Sequence, residues 1–269
     1  MLSILIALLI GGGIGSAIGF DLQSTPWGIT CGIAGYVITQ IIISLILRKK
    51  INAVQAGIQA EMNADRERIN RQLTLFQQRQ PGNMNGLKQL ADRLQGEVSQ
   101  KLLSATDRFK VFYPWSPMLY KQINAMKVQL YFQVKNYDEV DRLLPKSMLI
   151  DPLSLSIKLV RMFKNEDKDF DSFYNKKCSK FKGEQGAFIA CVYAWIKLKQ
   201  QNTQSAVAAL RTARKYSDHP VLVENLDKLL NDRKKDFSNA GFGEQWYALG
   251  LEEFKPKALR RRNNHGPMY

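Results

Sequence analysis

Before Arg48 the chain carries a single charged side chain, Asp21. On either side of it, residues 2–20 and 27–47 are apolar runs of about the ~20 residues that a helix needs to cross a bilayer core. A backbone in lipid has no water to bond, so runs of this kind are confined to helix whatever the rest of the chain does. The link Asp21-Leu22-Gln23-Ser24-Thr25-Pro26 is short and polar, which predicts an antiparallel transmembrane hairpin over residues 1–47. A cleaved leader would open on a cationic stretch, and Met1-Leu2-Ser3 supplies none.

Glycines recur every fourth residue in both runs: Gly11, Gly15 and Gly19 in the first, Gly28 and Gly32 in the second. Small residues at this spacing make a smooth stripe on which another helix can approach closely. Whether that partner is the other arm of the hairpin or a second copy of the chain stays open, so a homo-oligomer through the glycine faces is one expectation. Gly13-x-Gly15-x-x-x-Gly19 looks like a variant dinucleotide-binding turn. That turn needs a strand before it and an acidic residue about 20 positions on, whereas a second uncharged run follows and no acidic residue appears between Asp21 and Glu61.

Arg48, Lys49 and Lys50 close the second run, and the link between the runs has no Lys or Arg. By the positive-inside rule both termini are expected in the cytoplasm. The absence of a presequence before the hairpin sets the expectation of a bacterial inner membrane. Cys31 falls within a span, and Cys178 and Cys191 have no metal-type spacing, so all three are expected as reduced thiols.

Residues 48–110 read as a helical stalk. Ile51, Val54, Ile58, Met62, Ile69, Leu73 and Phe76 fall mostly three or four apart, with the pattern faltering at Asp65. Pro81 and Gly82 break the helix. A second amphipathic helix then carries Leu87, Leu90, Leu94, Val98, Leu102, Ala105 and Phe109 on one stripe. The aromatic segment Val111-Phe112-Tyr113-Pro114-Trp115-Ser116-Pro117 is expected to pack the stalk against the helices beyond it.

From Asn136 on, the chain echoes itself. Asn136-Tyr137-Asp138-Glu139-Val140 returns at Asp169-Phe170-Asp171-Ser172-Phe173 and at Asn202-Thr203-Gln204-Ser205-Ala206, each 33 residues on. A period of this size marks stacked helix-turn-helix units. Val140, Leu144 and Ser147, closed by Asp151-Pro152, place a small or apolar residue at a helix crossing and a large one beside it. Ala206, Leu210 and Ala213, closed by Pro220, do the same. The stretch 119–232 resembles the tetratricopeptide repeat family, and the resemblance implies an α-solenoid of about three degenerate units that binds a protein segment. In the middle unit the same register puts Phe173, Lys177 and Lys180 at the contact positions. Trp246-Tyr247-Ala248-Leu249-Gly250 resembles the start of another unit but is out of phase, and is expected as a terminal cap. The expected all-α organisation is a hairpin over 1–47, a stalk over 48–110, a repeat domain over 111–250 and a disordered basic tail over 251–269.

All 39 Lys and Arg follow residue 47, against 23 of the 24 acidic residues, leaving the chain beyond the hairpin at +16. Such charge next to a membrane is drawn to anionic lipid. Nucleic acid is a weaker expectation, because no zinc finger, recognition helix or RNA-binding motif is legible. Lys164, Lys168, Lys176, Lys177, Lys180 and Lys182 form either a basic groove for an acidic ligand or a solvated face. His219 and His265 stand apart from any nucleophile pattern, and no phosphate loop or metal-ligand spacing is present. The sequence is therefore read as a non-enzymatic membrane-anchored adaptor needing no cofactor or metal. A tether that binds lipid or RNA by charge is the alternative.

Overall fold

A computed structural model describes residues 2–21 and 25–252, and every regular element among the described residues is helical. Leu22-Gln23-Ser24 of the link and residues 253–269, including the Arg260-Arg261-Arg262 tail, lie outside the described residues. The chain divides into two compact units, Met1–Ile150 and Asp151–Tyr269.

In the first unit, α1 (Leu2–Asp21) and α2 (Thr25–Arg79) pack along one another. Both are long and apolar enough to cross a membrane. Their outer faces stay bare: Leu5, Leu8, Leu9, Ile29, Ile33, Ile38 and Leu45 are each more than half exposed. The core helix of a water-soluble protein would cover such side chains.

α2 does not stop at the end of its apolar run. Its 55 residues continue for about 80 Å as one helix. Gln80 to Asn83 reverse the chain, with Gly82 at φ 92° and the Asn83 side chain accepting from the Gly86 N–H at 2.9 Å. α3 (Met84–Thr106) then returns antiparallel to the lower half of α2. Ion pairs staple the two, Arg68 to Glu97 and Lys101 to Asp65, and Arg108, just past the end of α3, adds a third to Glu61.

Asp65, where the apolar stripe of α2 falters, faces α3. It is 7% exposed, and its two oxygens accept from the Lys101 ammonium at 3.0 and 2.9 Å.

A tight turn (Asp107–Phe112) leads into α4 (Pro117–Gln133) and α5 (Tyr137–Leu143). Leu119 and Ile123 of α4 share a core with Ile58 of α2 and with Ala105, Phe109 and Phe112. This shared core joins α4 to the stalk, and α5 packs on α4. The expected boundary at residue 110 therefore falls instead after Ile150.

In the second unit, α6 (Pro152–Lys164), α8 (Gly183–Lys199), α9 (Thr203–Arg214) and α10 (Pro220–Leu230) pack in sequence. The short α7 (Phe170–Phe173) widens into one turn in which the Ser179 N–H reaches the Tyr174 carbonyl at 3.0 Å. α8 is the centre, buried on every side from Gly186 to Lys197. Its small residues Ala187, Ala190, Cys191 and Ala194 let Ala206 and Leu210 of α9 and Leu222 of α10 come close.

One turn recurs across both units. α4, α6, α8 and α10 each end on a residue with positive φ: Lys135 at 60°, Glu166 at 51°, Gln201 at 60° and Asp232 at 54°. These are the four non-glycine residues of positive φ among the described residues. After each, the next N–H bonds a carbonyl five residues back: Asn136 to Tyr131, Asp167 to Met162, Asn202 to Lys197 and Arg233 to Lys228, at 2.7–2.9 Å. This is a closed helix C-terminus of the kind in which a left-handed residue satisfies the last carbonyls. The echoed residues Asn136, Asp169 and Asn202 stand at the start of the following helix. Asn136 and Asn202 cap it by accepting from Glu139 and Ser205, while Asp169 makes no such bond.

Candidate functional site

The hairpin seam is built from the five glycines. A Cβ on Gly15 would meet the Gly28 carbonyl at 2.7 Å and the Gly32 Cα at 3.0 Å. One on Gly11 would meet the Gly32 carbonyl at 2.7 Å, and Gly19 faces Gly28 at 3.5 Å. The stripes therefore close on each other within one chain. Gly12 and Gly13 point to open space. At the other end of the second apolar run, Arg48, Lys49 and Lys50 are all exposed.

In the second unit the six lysines read as either a basic groove or a solvated face stand on the surface. Lys164, Lys168, Lys176, Lys177, Lys180 and Lys182 are all exposed, and none lines either of the unit's larger cavities. The register expected for the middle helix pair is corrected as well. Phe170, Tyr174 and Cys178 are buried, at 4%, 6% and 2% exposure, whereas Lys177 and Lys180 face out. Short α7 with its wide turn presents this 170/174/178 face to the core, and Phe173 is left half-buried under the Lys158 ammonium, 4.6 Å from its ring centre.

The buried face makes an aromatic and ionic cluster. The Tyr174 and Tyr193 rings stack with centres 3.7 Å apart, and Phe170 stacks on Tyr193 at 5.4 Å. The Tyr193 hydroxyl donates to Asp171 at 2.7 Å, and the Lys197 ammonium donates to the same carboxylate at 2.8 Å. Lys197 is 5% exposed, with the Phe170 and Tyr193 ring faces 5.2 and 5.6 Å from its nitrogen. Burial raises both tyrosines, and in Tyr193 the bond to Asp171 adds to it. With every charge matched and every ring covered, this cluster is architecture.

Opposite ends of α8 open to cavities. At its N-terminal end, the starts of α6 and α8 meet His219 and Phe242 around a space of about 490 Å³, with His219 stacked on Phe242 at 4.5 Å. At its C-terminal end a cavity of about 670 Å³ is lined by Trp195, Leu198, Phe237 and three cations, Lys199, Lys234 and Lys235. One carboxylate already stands there. Glu252 accepts from the Trp195 indole N–H at 2.7 Å and from the Trp246 indole N–H at 2.9 Å. The two indoles meet edge to face, and the Lys199 ammonium lies 4.9 Å from the Trp195 ring centre. Glu252 takes both indole donors and Lys234 also pairs with Asp232 at 3.3 Å, so Lys199 and Lys235 are the other ammonium groups on this lining.

Sequence reasoning missed this set. Lys199 ends α8, Lys234 and Lys235 follow α10, and no spacing links them until α8 and α10 pack together. Trp246 was expected as a cap residue; it is fully buried, and Leu249 is 1% exposed.

No family model matches the chain, and no curated protein or solved structure matches it either.

Proposed function

We propose that this chain is a membrane-anchored adaptor. The hairpin holds it in the bilayer with residues 48–269 on the cytoplasmic side, in a bacterial inner membrane. Tetratricopeptide-like helix pairs, stacked as a solenoid, hold a segment of another protein. The observation that carries the reading is the identical closing turn at Lys135, Glu166, Gln201 and Asp232. Repeated helix pairs of one geometry make extended binding surfaces with no need for a catalytic group. The cations of the cavity at the end of α8 favour an acidic segment as cargo.

The high positive charge beyond the hairpin supports a second reading, a tether held on lipid or RNA by charge alone. Salt separates the two. Binding through neutralised phosphates falls by about 10³–10⁵ between 50 and 200 mM salt for 6–10 contacts on duplex nucleic acid. A shaped site that also buries apolar surface changes far less. In the full chain held in lipid nanodiscs, a protein partner should be retained through that range, and Lys199→Glu with Lys234→Glu should release it. If only polyanions bind, and all leave with salt, the adaptor reading fails.

A further inference from the structure

The aromatic segment after α3 is tied to the start of the hairpin. The Leu2 N–H donates to the Pro114 carbonyl at 3.0 Å, and the Ser3 hydroxyl, on a residue 7% exposed, donates to the Trp115 carbonyl at 3.2 Å. If α1 enters lipid at Leu2, then Pro114 and Trp115 lie at the surface of that leaflet. Bordering them on α2 are Ile43, Ile46 and Leu47, the last turns of its apolar run, which enclose with Val111, Phe112 and Trp115 a notch of about 250 Å³. Lys50 stands on its rim, next to the exposed Arg48 and Lys49.

Burial within the notch is split. Phe112 is 9% exposed and belongs to the core shared by α2, α3 and α4, which fixes the segment in place. Val111 is 72% exposed and Trp115 half-buried. So an anchored segment presents apolar side chains outward beside a bare apolar helix, with a cation at the end where that helix leaves its apolar run. Tryptophan at such a level is the residue that fits a membrane interface, its ring in the apolar region and its N–H toward headgroups.

We infer that this notch holds one anionic phospholipid, its upper acyl chain against Ile46, Val111 and Trp115 and its phosphate at Lys50. The inference rests on the hairpin lying in a bilayer. Three features choose this occupant: the notch continues the exposed apolar face of α2, it is apolar everywhere but at its rim, and the rim is cationic. A bound lipid there completes the covering of the junction between span and stalk.

Tryptophan fluorescence in the full chain tests it, with vesicles of phosphatidylglycerol or phosphatidylcholine brominated on the upper acyl carbons. Trp27, 63% exposed at the far end of the hairpin, reports whether the hairpin is in lipid. Trp115 reports on the notch. The quenching removed by Trp27→Phe should be substantial in both lipids. That removed by Trp115→Phe should be greater with phosphatidylglycerol, and Lys50→Gln should lower this preference roughly fivefold, the effect of one near-surface cation. Val111→Phe, which fills the notch without adding a fluorescent indole, should abolish the preference. If Trp27 is quenched while Trp115 is not, or if Trp115 is quenched equally by both lipids with Lys50→Gln without effect, the lipid site is overturned and the hairpin stands. Quenching of neither overturns the membrane reading, and the site falls with it.

Discussion

Gly15 and Gly28 meet backbone to backbone: a methyl group on Gly15 would stand 2.7 Å from the Gly28 carbonyl oxygen, and one on Gly28 would stand 2.8 Å from that of Gly15. Neither neighbour is the yielding end of a side chain, so the helices themselves must part. Gly15→Ala or Gly28→Ala is expected to cost about 1–3 kcal/mol, the range for overpacking. Gly12→Ala and Gly13→Ala meet nothing within 4 Å and should cost nothing. Thermal unfolding in detergent micelles checks this; equal losses at all four positions would remove the seam as the cause.

Asp65 and Lys101 should respond unequally to mutation. Lys101→Ala strands a carboxylate whose side chain is 10% exposed, at a cost of about 1–3 kcal/mol. Asp65→Leu removes that carboxylate and joins Met62 and Ile69 in one stripe, so it should cost less despite breaking the same pair. The order of the two melting temperatures decides the matter, and the reverse order counts against a buried, paired Asp65.

Asn239 ties the stretch after α10 to α8. Its amide donates to the Cys191 carbonyl at 2.9 Å and its oxygen accepts from Asn225 at 2.9 Å, with both asparagines fully buried. Asn239→Leu removes both bonds, at about 0.5–1.5 kcal/mol each, while Asn225 keeps its donation to the Ser238 carbonyl at 3.0 Å. Hydrogen exchange should speed up in residues 225–242 before it does in α6. Uniform acceleration would argue against a local clasp.

Two thiols make the second unit sensitive to alkali. Burial pushes the Cys178 thiol up to about 12 and raises Cys191 as well. The unfolded chain ionises near the ordinary ~8.5 while the fold keeps its protons, so stability is intact below about pH 8.5 and declines as pH rises towards about 12. Cys178→Ala should flatten the decline in melting temperature between about pH 8.5 and 10. In the native chain at pH 8 neither thiol should react with a maleimide, and both should react once denatured. A fast native reaction at Cys178 would contradict its burial.

The orientation of the hairpin is open to a direct test. With the native cysteines replaced, a membrane-impermeant maleimide should label Thr25→Cys in intact cells. It should label Gln204→Cys, at an exposed position of α9, only after permeabilisation. The opposite pattern would place residues 48–269 outside the cytoplasm and end the adaptor reading as stated.

Much of this architecture is local in origin, and local features are legible in a sequence. Two uncharged, mainly apolar runs, 2–20 and 27–47, admit only helix in a bilayer, so both arms of the hairpin follow from composition. Pro81 with Gly82 ends α2 because one cannot donate to the helix ladder and the other adopts a φ of 92°. The echo at Asn136, Asp169 and Asn202 marks a turn set by a few consecutive residues, and all three stand where a second helix begins.

Tertiary packing decided the rest. Asp65 reads as a flaw in an apolar stripe until Lys101, 36 residues later, arrives to pair with it. In the middle helix pair, the wide turn after Phe173 and the stacking on Tyr193 selected Phe170, Tyr174 and Cys178 as the inward face, with Tyr174 and Cys178 each one residue past the Phe173 and Lys177 that a uniform 33-residue repeat implies. Lys199, Lys234, Lys235 and Glu252 line one cavity only because α8, the stretch after α10 and Glu252 pack together. Which segments are helical and where they turn can be read from the residues, since those features depend on neighbours a few positions apart. Which faces are buried, and which charges meet, depends on residues distant in the chain whose packing no local pattern encodes.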